Sequence, residues 1–378
     1  MRNCSMSAKI ITIAIEKGGT GKTVTASNLA YLMGDEGKKV LCVDTDPQGN
    51  LTKALSGGLS ITSDEFYGKA LYNLFDGFLY HSKTRDFIVE TQYENVDMIP
   101  CDAQTPRINK RIELLIGDAE RLKDGDPRKV SGMGDFLYYF LNQVRDEYDY
   151  ILIDTQPTRD SLLLSNAIYA ADYILIPAGC EDNSEESAFR LYYECNKMKQ
   201  SSTSHLMGAG VLLVNVDKSA ATDKKIQEHF KEELGTSLFS VAIPTSKTVK
   251  TSISRFLPVC YMAKTQPVAK AYVKAYEELK KRLEVNDMGM KSPAKKKEIV
   301  KRSRPTDAEL GKIDSNNGDA GKIISDLTAG HKSIEYEARD IALYDIRVNA
   351  DNEIFRQADT PRGYCAAGGG YSAQRPDA

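Results

Sequence analysis

The sequence is poor in the residues that build metal and disulfide sites. Among its 378 residues there are four histidines and seven cysteines, and no two cysteines are spaced as C-x-x-C. An odd number of cysteines without paired spacing argues against a disulfide framework and against a thiolate zinc site. We therefore interpret Cys42, Cys101 and Cys180 as small buried apolar residues in a chain that works in a reducing compartment.

The sequence also lacks long apolar runs. Its N-terminus, MRNCSMSAKI, has no apolar core of a signal peptide, and no stretch approaches the roughly 18 apolar residues of a membrane span. The formal net charge of −3 excludes a general basic field, so any contact with nucleic acid must come from a local patch. We expect a cytoplasmic protein without membrane insertion.

What is present is an alternation of short apolar runs with longer helical stretches. Six runs of strand length are rich in Ile, Val and Leu: 10–15, 40–43, 150–154, 173–177, 211–215 and 238–243. Helical stretches lie at about 22–34, 68–79, 133–147, 184–200, 222–234 and 267–285. This pattern predicts an α/β fold, a doubly wound, mostly parallel sheet flanked by helices. Ligands of such folds bind at the carboxyl ends of the strands.

Composition changes near residue 288, which predicts that the globular domain covers 8–285. Residues 289–305 form a basic linker, because KSPAKKKEIVKRSRP (291–305) carries seven Lys or Arg against one Glu. Residues 306–378 have few hydrophobic residues and a glycine-rich end, AAGGGYSAQRPDA. This composition predicts a poorly ordered tail.

Residues 10–30, IITIAIEKGGTGKTVTASNLA, have the pattern of a strand, a glycine-rich turn and a helix. Glycines let backbone N–H groups converge on phosphates, and the start of a helix presents further N–H groups. The Lys22 ammonium would then lie over the outer phosphates, and the Thr23 hydroxyl could ligate Mg²⁺. The predicted nucleotide-binding residues here are Gly18, Gly19, Thr20, Gly21, Lys22, Thr23 and Val24.

The loop departs from the ordinary pattern G-x-x-x-x-G-K-[ST] at its first glycine, where Glu16 stands. A second lysine, Lys17, opens the motif KGGTGKT instead. A lysine at this point cannot easily reach the phosphates of its own loop. It could reach a nucleotide bound by a facing subunit.

Carboxylates follow two other buried strands. Asp44 and Asp46 come after the run 40–43, and Asp154 ends the run 150–154. A carboxylate in this position can hold Mg²⁺ through water or orient the water that attacks a phosphate. The alternative for Asp46, and less so for Asp44, is to cap the next helix.

These motifs resemble those of the ParA/MinD family of deviant Walker-type P-loop ATPases. The segments that carry the resemblance are KGGTGKT (17–23), VDTDPQGN (43–50), YILIDTQPTRD (150–160), SNAIYAADYILIP (165–177), Asn215 and IPTSKTVKTSISRFLPV (243–259). The likeness covers roughly residues 8–285. The chain departs from the family at Gln156, where relatives usually have proline, and at Val24, where they often have a second threonine.

The resemblance implies a slow ATPase that uses ATP and Mg²⁺. It assigns catalysis to Lys17, Lys22 and Asp44, with Asp44 positioning the attacking water. It assigns Mg²⁺ to Thr23, Asp44 and Asp154. Asn215 and Pro244 would contact adenine, although an Asn at a strand end is also typical of a turn.

The resemblance also implies an ATP-dependent homodimer that segregates plasmid or chromosomal DNA. ParA-like members bind nonspecific DNA at the nucleoid and are stimulated by a ParB-like centromere-binding partner. The cations expected to contact DNA here, each of which taken alone is more often a solvated surface residue, are Lys218, Lys224, Lys225, Lys247, Lys250 and Arg255. Two alternatives stay open: a MinD-like membrane-associated positioning ATPase, and a nucleotide-locked scaffold without turnover.

The tail carries one further resemblance. Residues 341–359, IALYDIRVNADNEIFRQAD, resemble the opening of a ParB-type domain through Asn349, Asn352, Phe355 and Arg356. A remnant of a fused partner gene is one interpretation, and a solvated tail without a role is the other.

Overall fold

The structure, a computed structural model, describes residues 7–59, 66, 68–124, 126, 128–130, 132, 134–158, 161–200 and 204–291. Apart from the backbone of 289–291, the predicted linker at 289–305 and tail at 306–378 lie outside these residues. The ParB-like segment 341–359 lies outside them as well. The predictions for these segments stay predictions.

The described residues form one seven-stranded sheet. Its strands are β1 Lys9–Ile13, β2 Val40–Asp44, β3 Val89–Glu90, β4 Val96–Ile99, β5 Tyr150–Asp154, β6 Tyr173–Ala178 and β7 Gly208–Leu213. Their order is β3-β4-β2-β5-β1-β6-β7, and every neighbouring pair is parallel except β3 with β4. The predicted fold class, a mostly parallel sheet flanked by helices, is confirmed.

Helices connect the strands and cover both faces of the sheet. They are α1 Lys22–Asp35, α2 Asn50–Leu55, α3 Leu71–Asp76, α4 Ile108–Glu120, α5 Phe136–Asn142, α6 Leu162–Ala170, α7 Asp182–Lys199, α8 Ala221–Leu234, α9 Lys247–Ser254, α10 Val259–Met262 and α11 Pro267–Lys291. Short 3₁₀ turns lie at Phe78–Tyr80, Thr84–Phe87, Thr105–Arg107, Arg145–Glu147 and Gly235–Ser237. None of the helices in this described part is both long and apolar enough to cross a membrane.

Strand β2 shows why polar and apolar residues do not alternate along the predicted strands. All of its residues are buried, and successive side chains point to opposite faces of the sheet. Val40 and Cys42 join the cluster under α1 and α11. Leu41 and Val43 join the cluster on the other face, under α3 to α6. A strand between two helical layers therefore needs an apolar residue at every position.

The predicted strand at 238–243 is wrong. This segment makes only isolated bridges, Val211 with Leu238 and Val216 with Pro244. The backbone N–H of Ser240 donates to the carboxylate of Glu278 instead of to a strand, at 3.0 and 3.2 Å. On the side facing β7, Phe239 donates to the carbonyl of Val211 and Ile243 to that of Leu213, each at 2.8 Å, so four residues of this segment pass two of β7 and the regular alternation of a strand is lost.

Some elements of the structure were not predicted from the sequence, and others differ in length from the prediction. The sequence interpretation did not include β3, β4 or α4, although α4 buries residues at helical spacing: Ile108, Ile112, Leu115 and Ala119. The stretches predicted as helices at 68–79 and 133–147 contain α3 and α5, and each ends in a separate 3₁₀ turn. Helix α11 continues to Lys291, beyond the predicted end at 285.

Candidate nucleotide-binding site

The sheet register brings the predicted residues together at one edge. In the pairing of β2 with β5, Asp44 lies opposite Asp154, and in the pairing of β1 with β5, Ile13 lies opposite Asp154. The glycine-rich loop follows β1 directly. Two carboxylates and the loop therefore meet at the carboxyl ends of three adjacent strands, where doubly wound sheets bind their ligands.

The loop needs glycine where its backbone turns into α1. Gly19 and Gly21 have φ angles of +76° and +73°, a conformation that residues with a Cβ rarely adopt. Gly21 immediately precedes α1 and provides no side-chain cap, so the first N–H groups of the helix stay available for a ligand. Thr20 is buried, and its hydroxyl donates to the carbonyl of Lys17 at 3.3 Å.

Lys22 lies inside the loop and not in solvent. It is 6% exposed, and its Nζ donates to the carbonyls of Ile15 at 3.2 Å and Lys17 at 3.1 Å. Burial lowers the pKa of Lys22, and the nearby charges of Asp154 and Asp46 oppose that shift. The ammonium is thus held where a phosphate in the loop would meet it.

Asp154 and Thr23 form the part of the site that suits a cation. Asp154 is fully buried, and its Oδ2 accepts a hydrogen bond of 2.7 Å from the Thr23 hydroxyl. Its Oδ1 is buried and has no hydrogen-bond partner. Burial and the charge of Asp44 raise the pKa of Asp154 well above the ordinary carboxyl value. A buried carboxylate oxygen without a donor calls for a positive ligand, so these residues fit Mg²⁺.

The described residues contain no cluster of three or more His, Cys, Asp or Glu that could hold a metal by itself. That agrees with the usual protein environment of Mg²⁺, which takes one or two protein ligands and completes its shell with phosphate oxygens and water. Thr23 and Asp154 would be those protein ligands, whereas Asp44, the third residue predicted to bind Mg²⁺, has its carboxylate hydrogen-bonded by Asp46 and Thr52.

Asp44 is 1% exposed and is held by backbone and hydroxyl donors. Its Oδ1 accepts the N–H of Asp46 at 3.1 Å, and its Oδ2 accepts the N–H and the hydroxyl of Thr52 at 2.8 and 2.7 Å. Burial raises the pKa of Asp44 to about 6, against the lowering effect of the Thr52 hydrogen bonds. The sequence interpretation did not single out Thr52, although it lies only two residues beyond the motif VDTDPQGN.

Asp46 does not cap the next helix as the structural alternative predicted, because Gly49 precedes α2 as its N-cap residue and provides no side-chain cap. The Oδ1 of Asp46 accepts the N–H of Gln48 at 3.0 Å, which closes a turn ahead of α2. It is 8% exposed and lines the same cavity as the loop. Its contacts are those of a turn residue, and its charge still acts on Lys22.

A cavity of about 560 Å³ opens in front of the loop. Of the predicted site residues it is lined by Lys17, Gly18, Gly19, Thr20, Gly21, Lys22, Thr23, Val24, Asn215, Pro244 and Lys250. Asp44 and Asp154 are not part of the lining and lie behind it, fully buried. The volume suits a ligand of nucleotide size.

Asn215 and Pro244 lie together at one wall of this cavity. Asn215 is exposed and has a φ of +56°, and its carbonyl accepts the hydroxyl of Thr245 at 2.9 Å. Pro244 forms a bridge with Val216, so the two segments run side by side. Asn215 therefore has both the backbone of a turn residue and a place in the cavity, and the two interpretations made from the sequence are compatible.

Lys17 lies at the mouth of the cavity and is held by a carboxylate. Its Nζ forms an ion pair with Glu181, the residue before α7, and the Glu181 side chain is 69% exposed. The neighbouring Glu16, which stands at the usual glycine position, pairs with Arg190 of α7. The start of the loop is thus fastened to α7 by two ion pairs that the sequence interpretation did not include.

The six cations predicted to contact DNA are all exposed. Lys218 follows β7, Lys224 and Lys225 begin α8, and the others belong to α9 or follow it directly: Lys247, Lys250 and Arg255. None forms a salt bridge with another described residue. They lie on segments that follow the carboxyl end of β7 and the 243–245 loop, with Lys250 reaching the cavity itself.

Comparison with known proteins identifies the family of the chain. A family model described as an AAA domain (AAA_31) matches residues 8–208. The sporulation initiation inhibitor protein Soj of Bacillus subtilis is 30% identical over 251 residues, which cover 66% of this chain and 90% of that protein. The chromosome partitioning protein ParA of Myxococcus xanthus is 29% identical over 277 residues, 72% of this chain and 88% of that protein.

The fold also matches solved structures. The structure of a Cyanothece McdA–ATP complex superposes with a TM-score of 0.58 at 22% identity, covering 74% of this chain and 97% of that chain. At this identity the match establishes the fold alone. The family model, the relatives and the glycine-rich loop point the same way: the chain belongs to the ParA/MinD family of P-loop ATPases.

Proposed function

We propose that this chain is an ATP-dependent dimerisation switch that binds DNA nonspecifically and drives the partition of plasmid or chromosomal DNA. One observation carries the ATPase part of the proposal. A buried carboxylate oxygen of Asp154 without a donor lies beside the Thr23 hydroxyl, at the start of a helix that follows a glycine-rich loop. This arrangement suits a magnesium-bound polyphosphate.

The loop residues bind and neutralise the phosphates. The N–H groups at the start of α1 and the ammonium of Lys22 donate to phosphate oxygens, and Lys22 exchanges its present carbonyl acceptors for them. Thr23 and Asp154 would hold Mg²⁺, which would supply charge neutralisation to the phosphates.

Asp44 orients the water that attacks the γ-phosphate. Asp46 and Thr52 donate three hydrogen bonds to its carboxylate, two to Oδ2 and one to Oδ1, and the Cys101 thiol also hydrogen-bonds this carboxylate. We assign the water to Oδ1 because it is the oxygen with fewer backbone and hydroxyl donors. A fixed acceptor of this kind positions the nucleophile, which is most of what the protein must do in phosphoryl transfer. The activity is ATP hydrolysis to ADP and phosphate, with slow intrinsic turnover.

Lys17 supplies charge to the nucleotide of a second copy of the chain. It stands at the mouth of the cavity and pairs with the largely exposed Glu181, so its ammonium can exchange this partner for a phosphate at a modest cost. ATP then lies between two subunits, and hydrolysis separates them. The dimer is the form that binds DNA.

The six exposed cations without salt bridges support nonspecific DNA binding, since contacts to phosphates need only positive charge at the surface. The relative from Myxococcus xanthus, a chromosome partitioning protein, supports the same function. We propose that a ParB-like centromere-binding protein stimulates hydrolysis, and that the chain associates with the nucleoid.

Phosphate release tests this function. The chain is incubated with Mg²⁺ and ATP, alone, with linear duplex DNA, and with anionic lipid vesicles. We expect slow release by the chain alone, and sedimentation with DNA in ATP but not in ADP. Binding to vesicles in place of DNA would favour the MinD-like alternative. Release that stays at the level of buffer under every condition, with ATP still bound, would favour the scaffold.

A further inference from the structure

A chain of three groups connects the end of β4 to Asp44. The backbone N–H of Cys101 donates to the hydroxyl oxygen of Thr52 at 3.2 Å, and the Thr52 hydroxyl lies 2.7 Å from Oδ2 of Asp44. All three residues are at most 1% exposed. The hydroxyl has two possible acceptors, Oδ2 of Asp44 at 2.7 Å and Sγ of Cys101 at 3.8 Å, and the nearer carboxylate is the stronger acceptor for its single proton.

Thr52 gives Asp44 two donors at the same oxygen. Its backbone N–H also donates to Oδ2, at 2.8 Å, so both acceptor positions of Oδ2 are filled. Of the backbone and hydroxyl donors, only the N–H of Asp46 reaches Oδ1, at 3.1 Å. The Cys101 thiol is a further neighbour, with its sulfur 3.8 Å from the Thr52 hydroxyl oxygen. Burial raises the pKa of this thiol, with a contribution from its hydrogen bond to Asp44, so the thiol stays protonated and adds no charge.

We propose that Thr52 is a positioning residue for ATP hydrolysis, which fixes the Asp44 carboxylate by Oδ2 and leaves Oδ1 to orient the attacking water. The inference deepens the proposed function and rests on it, because it assumes that Asp44 acts on water. Thr52 touches neither water nor phosphate. It acts through Asp44 alone.

A purely structural role for Thr52 makes a different prediction. The residue lies in the first turn of α2, and its backbone N–H would be capped by Asp44 whatever the side chain is. Removing the hydroxyl would then lower stability and leave turnover unchanged. If the hydroxyl orients Asp44, its removal lets the carboxylate rotate about its side-chain bonds, and kcat falls.

The test replaces Thr52 in the full chain and measures phosphate release at saturating ATP. Thr52→Val keeps the shape and removes the hydroxyl, and we expect kcat to fall by about 10- to 100-fold while KM for ATP changes little. Thr52→Ser keeps the hydroxyl and should restore most of kcat. Should Thr52→Val fail to fold, Thr52→Ala tests the same point with a smaller side chain.

Thr84→Val is the matched control. Thr84 is also fully buried, and its hydroxyl donates to the carbonyl of Phe140 at 2.8 Å, far from the loop in the fold. Its replacement gives the thermal destabilisation expected from the loss of one buried hydroxyl, with kcat unchanged. An equal loss of kcat in this variant would overturn the proposal, because the effect would then be general.

A double-mutant cycle with Asp44→Ala distinguishes the role of Thr52 from the role of Asp44 in the proposed function. If Thr52 acts through Asp44, Thr52→Val has no further effect on kcat once Asp44 is removed. A wild-type kcat in Thr52→Val, or a loss in Thr52→Ser as large as in Thr52→Val, would overturn the role of Thr52 alone. A wild-type kcat in Asp44→Ala, or no turnover by the wild type, would overturn the proposed function and this inference with it.

Discussion

Two buried aspartates at opposite edges of the same sheet have opposite surroundings. Asp172, just before β6, is 6% exposed, and its Oδ2 accepts the N–H of Ile10 at 2.8 Å and the guanidinium of Arg145 at 2.5 Å. Asp154, at the end of β5, is fully buried and has Oδ1 without a donor. At the amino edge of the sheet an arginine therefore neutralises the buried carboxylate. At the carboxyl edge no arginine or lysine donates to the carboxylate of Asp154 among the described residues.

This difference separates a structural carboxylate from a functional one. A buried negative charge without a cation is unfavourable, so such a carboxyl takes up either a proton, as its raised pKa indicates, or a bound cation. The charge of Lys22 acts on Asp154, but the Lys22 ammonium donates to loop carbonyls and not to the carboxylate. Replacing residues at the two edges in parallel should therefore give opposite outcomes.

The largest effect is expected at the carboxyl edge. Asp154→Asn removes the charge that would hold Mg²⁺ and keeps the shape, so kcat for ATP hydrolysis should fall by about a thousandfold, roughly 4 kcal/mol of transition-state stabilisation. Asp172→Asn, the matched change at the amino edge, should leave kcat of the folded protein unaltered. The comparison fails if the two variants lose activity to the same extent.

The second-largest effect is a loss of stability, expected for a substitution at the amino edge of the sheet. Arg145→Met leaves Asp172 buried without its cation, and also removes the hydrogen bond of 2.9 Å from Arg145 to the carbonyl of Ala8. We expect the free energy of unfolding in urea to fall by about 3 kcal/mol, with turnover per folded molecule unchanged. A loss below about 1 kcal/mol would mean that the two edges are less different than their contacts indicate.

A third effect is expected in the pH dependence of stability. The pKa of Asp154 is raised in the folded chain by burial first and by the charge of Asp44 second. A raised pKa stabilises the fold at low pH, and this stabilisation is lost as the pH rises through the folded value. Asp154→Asn should therefore unfold at a higher temperature than the nucleotide-free wild type at pH 8, by roughly 3 °C or more.

This thermal advantage should shrink as the pH is lowered toward the ordinary carboxyl pKa of 3.8. The measurement is the unfolding temperature of both chains between pH 5 and pH 8, without nucleotide or Mg²⁺. A gap that stays constant or widens toward pH 5 would contradict the raised pKa.

The smallest effect on stability is expected for the exposed Lys17–Glu181 ion pair, in contrast to the buried Arg145–Asp172 pair. Lys17 pairs with Glu181, whose side chain is 69% exposed, so Glu181→Gln should change the free energy of unfolding by less than about 1 kcal/mol. Because the substitution removes the ion pair that holds Lys17, we expect the dimer to form at a lower ATP concentration. Light scattering across an ATP titration measures this shift, and an unchanged midpoint would show that Glu181 does not restrain Lys17.

The sequence predicted the carboxyl edge well because its determinants are local. Apolar runs ending in Asp44 and Asp154 identify two strand ends, and parallel strands bring their ends to one edge. The turn from glycine-rich loop to helix follows from Gly19 and Gly21 in the same way. These features need no knowledge of distant residues.

The remaining features depend on tertiary contacts. Residues 238–243 have a strand-like composition, yet the N–H groups of Phe239 and Ile243 bond to Val211 and Leu213 of β7 out of strand register, while Glu278 of α11 accepts the N–H of Ser240. Glu181, the partner of Lys17, lies 164 residues away from it in the chain. Arg145, the partner of Asp172, lies 27 residues away from it. No periodicity in the sequence marks such pairs, because each is set by the packing of elements far apart in the chain.

Light scattering of the wild type and of Lys17→Ala, with Mg²⁺ and either ADP or a slowly hydrolysed ATP analogue, tests the switch most directly. The account predicts the mass of one chain with ADP and of two chains with the analogue for the wild type. It predicts one chain in both nucleotides for Lys17→Ala. A wild-type mass that is the same with either nucleotide would contradict the switch.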